Sequence, residues 1–113
     1  MSELSNFING QWKAGHGETI VTTNPATGKH IYSSLESTAD DVAEAAHAAR
    51  AAFEAWAYRP LEERIAIVTK FRDLLKENAE DLAQTISEEV GKPLWEARTE
   101  VTTMTNSPNW PTK

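Results

Sequence analysis

The chain has no cysteine. That excludes disulfides, cysteine-ligated zinc and a thiol nucleophile from this stretch. Positive charge is also in short supply, with 11 Lys and Arg against 17 Asp and Glu and a net charge of −6. Nucleic acid and anionic membrane surfaces both require a basic face, so neither is an expected partner. No apolar run approaches the length of a membrane span. Met1 to Asn6 has neither a basic nor an apolar leader region, so no secretory signal is read and the expected location is the cytoplasm. Glycine is scarce too. Gly10, Gly15, Gly17, Gly28 and Gly91 form neither a dinucleotide fingerprint nor a Walker loop. No Gly-x-Ser-x-Gly elbow is present.

Large apolar side chains are few. Sixteen of the apolar residues are alanine, whereas Leu, Ile, Val and Phe together number 21 of 113. That is near the compositional edge for independent folding. Burying a Leu or Phe contributes roughly 1.5–3 kcal/mol, against a backbone ordering cost of about 1–2 kcal/mol per residue. A chain of 113 residues fits one domain at most. Two outcomes are open: marginal stability in isolation, or a small core closed by the four tryptophans.

What is present reads as a β-ribbon followed by helices. Phe7-Ile8 and Gln11-Trp12 flank Asn9-Gly10, a strong hairpin signal because a type I′ turn needs positive φ at both central residues. Ala14 to Gly17 reads as a flexible connector. Thr19 to Thr23 is a β-branched strand, Asn24-Pro-Ala-Thr-Gly28 a turn, and His30 to Ser34 the return strand.

Ser37 or Thr38 caps the first helix, with Asp40 and Asp41 in its opening turn. Its apolar positions are Val42, Ala45, Ala46, Ala49, Ala52, Phe53 and Trp56, an alanine-rich face suited to close approach by a neighbour. Tyr58-Arg-Pro60 stops it. Pro60 opens a second helix whose buried stripe is Leu61, Ile65, Val68, Phe71 and Leu75, widened by Ile67 and Leu74. Asn78 caps a third helix, carrying Leu82, Ala83, Ile86 and Val90. Gly91 ends it. Pro93 opens the fourth, carrying Leu94, Ala97, Val101 and Met104. The breaks are short, which predicts antiparallel helical neighbours. The fold class is therefore α+β and mostly helical, with two short hairpins ahead of about four helices.

No catalytic constellation emerges from these residues. His16, His30 and His47 are far apart, and none has a partner at i+3 or i+4, so they read as solvent-facing. Acidic pairs on the helices read as solvated faces, and Glu96 and Glu100 are spaced to pair with Arg98 along one helix. No catalytic, cofactor-binding or metal-binding residue is assigned.

Four stretches in order carry a resemblance: Phe7-Ile-Asn-Gly-Gln-Trp12, Asn24-Pro-Ala-Thr-Gly28, Ala45 to Trp56, and Glu89-Val-Gly-Lys-Pro93. Together they resemble the amino-terminal part of the aldehyde dehydrogenase superfamily. Gly91 to Met104 is narrower and resembles the N-succinylglutamate 5-semialdehyde dehydrogenase branch, which acts in arginine breakdown. The resemblance implies part of a cofactor domain. It also implies NAD-dependent oxidation of a small-molecule aldehyde to a carboxylate by a homo-oligomeric full-length enzyme.

In that family a cysteine thiolate, a glutamate, an oxyanion-hole asparagine and a nucleotide loop lie further along, with no matching positions here. The resemblance thus implies a fragment that is inactive alone and binds no NAD by itself. Some members bind a monovalent cation, and the matching positions are Thr22 or Thr23, and Glu89. Residues 1–105 read as the family segment. Residues 106–113 read as a disordered tail outside the family pattern, of the kind a frameshift or premature stop in the gene produces. The alternative reading is a small helical interaction module that docks on another subunit.

Overall fold

The computed structural model describes residues 4–106. The element order is β1 (Asn6–Ile8), β2 (Gln11–Lys13), β3 (Thr19–Thr23), β4 (His30–Leu35), α1 (Ala39–Ala57), α2 (Leu61–Glu77), α3 (Ala79–Val90) and α4 (Leu94–Asn106). The α+β class and the four helices behind two hairpins follow the sequence reading. The described residues are taken in two parts. They divide into two compact units, one running up to Thr23 and resuming over His30–Arg59, the other combining Asn24–Lys29 with the residues from Pro60 on.

In the first unit, β1 and β2 pair antiparallel with Phe7 opposite Trp12 and Ile8 opposite Gln11. The turn between them is Asn9 at φ 51° and Gly10 at φ 76°, the paired positive values that a type I′ turn requires. Strands β3 and β4 form a separate antiparallel ribbon with a register irregularity between Thr22 and Thr23. Helix α1 begins with a capping box: the Thr38 hydroxyl accepts from the Asp41 backbone N–H while the Asp41 carboxylate accepts from the Thr38 backbone N–H. Thr38, rather than Ser37, is therefore the cap. Ser37 instead donates to Asn6 Oδ1 at 3.0 Å.

Ala14 to Gly17 is not the flexible connector that its glycines suggested. A Cβ on Gly15 would lie 2.2 Å from the Glu36 carbonyl oxygen, so this backbone packs directly against residue 36. The Gly17 N–H donates to the same carbonyl at 2.8 Å. Here glycine serves close approach rather than mobility.

The second unit is organised around Ala83, Ala97 and Val101, with Ala79, Leu82, Ile86 and Leu94 packed around them. Two of the three buried apolar side chains are alanine, which brings α3 and α4 close. Gly91, at φ 76°, closes α3, and its N–H donates to the Ser87 carbonyl at 2.9 Å. Pro60 and Pro93 stand just ahead of α2 and α4 rather than inside them. Their carbonyls accept the first helical hydrogen bonds, from Arg64 and from Glu96 and Ala97. Asn78 occupies the cap position of α3, but its side-chain amide points back and donates to the Leu74 carbonyl at 2.8 Å. It closes α2 instead of capping α3.

The burial expected for α2 is corrected. No residue of α2 is buried. Leu61, Ile65, Val68 and Phe71 are all exposed, Phe71 at 59%, and Leu75 is half-buried. The helical period is real, but the chain offers too little apolar volume to cover the stripe. The alanine face of α1 is corrected likewise: Val42, Ala46, Ala49, Ala52, Phe53 and Trp56 are exposed and Ala45 is half-buried. Nor do the tryptophans among the described residues close a core. Trp12 and Trp95 are 61% and 67% exposed, and the fourth, Trp110, lies outside the described residues. Asn106 ends α4 in helical conformation, and the rest of the expected tail also lies outside the described residues.

Candidate functional site

Gly91-Lys92-Pro93 forms the joint between α3 and α4. The Ser87 hydroxyl donates to the Lys92 carbonyl at 2.7 Å, which ties the last turn of α3 across the joint. The turn Asn24–Gly28 belongs to the same unit. Asn24 Oδ1 accepts from the Ala26 and Thr27 N–H groups at 2.9 and 3.2 Å, and the Asn24 carbonyl accepts from Gly28 at 2.7 Å. The turn thus holds its own shape and seats Pro25 against Gly91, where a Cβ would meet Pro25 Cγ at 2.7 Å.

Lys92 forms an ion pair with Glu100 of α4. The hydrogen bond that Lys92 donates to Glu100, helped by the negative charge there, raises the Lys92 ammonium above its ordinary range. A lysine held protonated is neither a Schiff-base nucleophile nor a general base. Arg98 reaches across to α3, donating to both Glu80 oxygens at 2.9 and 2.6 Å. That hydrogen bond is also the main reason the Glu80 carboxyl sits below its usual range. Glu96 and Glu100 were spaced to pair with Arg98 along α4. The structure instead gives Arg98 to α3 and Glu100 to Lys92, because the closely packed alanines bring the two helices within side-chain reach. A shallow recess of about 260 Å³ lies beside the Glu80–Arg98 pair. Its acid and its guanidinium satisfy each other, and the Thr102 and Thr105 hydroxyls that also line it donate to the Arg98 and Thr102 carbonyls.

The first unit holds a second polar cluster. Asp41 is only 5% exposed. It accepts from the Thr38 backbone N–H at 2.7 Å, the Thr38 hydroxyl at 2.9 Å and the His16 N–H at 3.2 Å, and its other oxygen lies 2.5 Å from His16 Nδ1. The Thr38 backbone hydrogen bond, followed by the His16 ring, holds the Asp41 carboxyl well below the usual carboxylate range. The reading of His16 as simply solvent-facing is therefore incomplete, since its ring is exposed but pinned to the α1 cap. The signal available in the sequence was Asp41 three residues after Thr38. Nothing there announced that residue 16 would reach the same carboxylate. His30 Nε2 lies 2.6 Å from the Ser33 hydroxyl, and His47 is on the exposed surface of α1.

The positions matched to a family cation site do not form a cluster within either unit. Thr22 and Thr23 are on β3 in the first unit, and Glu89 is near the end of α3 in the second. No group of three or more His, Cys, Asp or Glu residues is arranged to hold a metal among the described residues. The five glycines serve turns, a helix end and close packing. Gly91 stands at a helix C-terminus, where carbonyls rather than N–H groups face outward, the wrong polarity for a phosphate.

A family model described as "Aldehyde dehydrogenase family" matches residues 12–112. The chain belongs to the aldehyde dehydrogenase family. Among curated aldehyde dehydrogenases it is 50% identical over 98 residues to N-succinylglutamate 5-semialdehyde dehydrogenase 2 of Caulobacter vibrioides, covering 87% of this chain and 20% of that protein. It is also 50% identical over 102 residues to the N-succinylglutamate 5-semialdehyde dehydrogenase of Pseudomonas fluorescens, covering 90% of this chain and 21% of that one. The chain thus spans about a fifth of the length of the curated relatives it matches. Among solved structures, an NAD-dependent benzaldehyde dehydrogenase from Corynebacterium glutamicum superposes with a TM-score of 0.90 at 29% identity, over 96% of this chain and 24% of that one. An aldehyde dehydrogenase from Brucella melitensis biovar abortus gives 0.88 at 36% identity, over 96% and 23%. This aldehyde dehydrogenase segment, hairpins and helices together, is an amino-terminal piece of the family fold.

Proposed function

We propose that this chain is the amino-terminal segment of an NAD-dependent N-succinylglutamate 5-semialdehyde dehydrogenase. The whole enzyme would oxidise the aldehyde to a carboxylate in arginine breakdown, as a cytoplasmic homo-oligomer. The observation that carries this reading is 50% identity to two such dehydrogenases over nearly the whole chain. The segment supplies scaffold rather than chemistry. It has no thiol to attack an aldehyde, its lysine at the α3–α4 joint is held protonated, and its glycines make no phosphate cradle among the described residues. NAD, when bound by the whole enzyme, accepts the hydride. No residue of this segment is assigned to it.

By this reading the isolated chain turns over no aldehyde. Purified 113-residue protein incubated with NAD and succinylglutamate semialdehyde produces no NADH above the uncatalysed rate. Sustained turnover would overturn the reading.

The second reading, a helical module that docks on another subunit, draws support from the exposed stripe Leu61, Ile65, Val68 and Phe71. Thermal melting separates the two. A sharp cooperative transition favours the module. Helical signal without cooperativity, together with binding of a hydrophobic dye, favours the segment.

A further inference from the structure

Six asparagines occur in the chain, and only Asn9 precedes a glycine. Asn24 precedes a proline, which has no backbone N–H. Asn9 and Gly10 form the two-residue tip beyond the last paired residues, Ile8 and Gln11. Both are exposed. Nothing lies within 4 Å of the point where a Cβ on Gly10 would stand. The hairpin holds three residue pairs, and its exposed two-residue tip frays locally in water even while the strands stay held. Opening frees Asn9 from its φ of 51° and lets the Gly10 nitrogen swing toward the Asn9 side chain. Glycine imposes no Cβ on that approach and restricts the swing least.

We infer that Asn9 is a spontaneous deamidation site. The Gly10 backbone nitrogen loses its proton to solvent and attacks Asn9 Cγ. The new N–Cγ bond forms, the Cγ–Nδ2 bond breaks, and Nδ2 leaves as ammonia after taking up a proton from water. The product is a five-membered succinimide. Water then adds to one of its two carbonyl carbons. Opening on the former side-chain side returns aspartate, and opening on the backbone side gives isoaspartate. The net change is asparagine plus water to the acid plus ammonia, without oxidation or reduction.

Isoaspartate routes the main chain through the side-chain carbon and lengthens it by one atom. A two-residue turn does not absorb that insertion, because hairpin register is set by loop length. The Phe7 and Trp12 rings, with centroids 5.2 Å apart across the strands, then lose their facing positions. The tip also gains a negative charge.

The test is peptide mapping of the full chain aged at neutral and at mildly alkaline pH. The expected result is conversion of amide to acid at Asn9 at least an order of magnitude faster than at Asn6 or Asn78. It should be faster at the higher pH, with isoaspartate as the larger product, and Phe7–Trp12 cross-peaks in NMR spectra should fade in step. Asn9→Gly keeps a residue that accepts positive φ, so its cross-peaks persist on ageing. Conversion at Asn9 no faster than at Asn6 and Asn78 would overturn the inference. So would equal fading of the cross-peaks in Asn9→Gly.

Discussion

Pro25 and Gly91 are in such close contact that a single added carbon would not fit between them. A Cβ on Gly91 would stand 2.7 Å from Pro25 Cγ, and Gly91 also occupies left-handed backbone at φ 76°. Two penalties therefore act on Gly91→Ala, one conformational and one steric. The conformational part alone costs about 1 kcal/mol. The account predicts a larger loss in urea denaturation followed by circular dichroism, of which Pro25→Ala in the same chain returns the steric share. An unchanged midpoint for Gly91→Ala would show that the turn does not bear on the joint.

At the start of α1, Thr38→Ala removes a capping hydroxyl and should cost about 1 kcal/mol. Asp41 adds a pH dependence. Its carboxyl is held below its ordinary value of 3.8 by the Thr38 N–H and then by His16, so the unfolded chain binds the proton more readily than the folded one. The stabilisation it provides is present above that ordinary value and is lost as pH falls below it. Acid titration of helicity should therefore be shallower in Asp41→Asn than in the parent. Identical acid limbs would contradict the capping role.

At the α3–α4 contact, packing should outweigh charge. Val101 is 2% exposed, and Val101→Ala should cost on the order of 2 kcal/mol. Arg98 and Glu80 are both largely exposed, and such pairs are screened by solvent and salt. Arg98→Ala should therefore cost clearly less than Val101→Ala, and the difference should widen as salt is added. A larger loss for Arg98→Ala would reverse the ranking.

How much of this was legible depends on the range of the interaction. The Asn9-Gly10 turn, the Asn24–Gly28 turn, the α1 cap and the Gly91 stop are fixed by residues within a few positions of one another, and each was readable from sequence. The 3.6-residue period of α2 was readable as well. Its burial was not, because burial depends on what lies opposite, and a periodic stripe looks the same with or without a covering partner. The Arg98–Glu80, Lys92–Glu100 and His16–Asp41 pairs span 18, 8 and 25 positions. They follow from packing, which spacing along one helix does not reveal. That this stretch carries no thiol needed no structure, since a missing cysteine is a matter of composition.

The exposed α2 stripe makes a paired prediction. In the isolated chain Phe71→Glu replaces a solvent-facing ring and should change stability by no more than about 0.5 kcal/mol. In a complete dehydrogenase carrying this segment, the same substitution should lower the melting temperature well beyond a Lys70→Gln control. Equal, small shifts in both settings would show that the stripe is left bare in the whole enzyme.

The central claim is that these residues are a working first segment of a succinylglutamate semialdehyde dehydrogenase. It is tested most directly by transplantation. The matched segment of the Caulobacter vibrioides relative is replaced with the corresponding residues of this chain, and NADH formation is followed with N-succinylglutamate 5-semialdehyde. The account predicts a folded chimera whose kcat and KM stay within a few-fold of the parent, because the segment carries scaffold and no catalytic group. A chimera that folds and binds NAD yet fails to oxidise that aldehyde would contradict it.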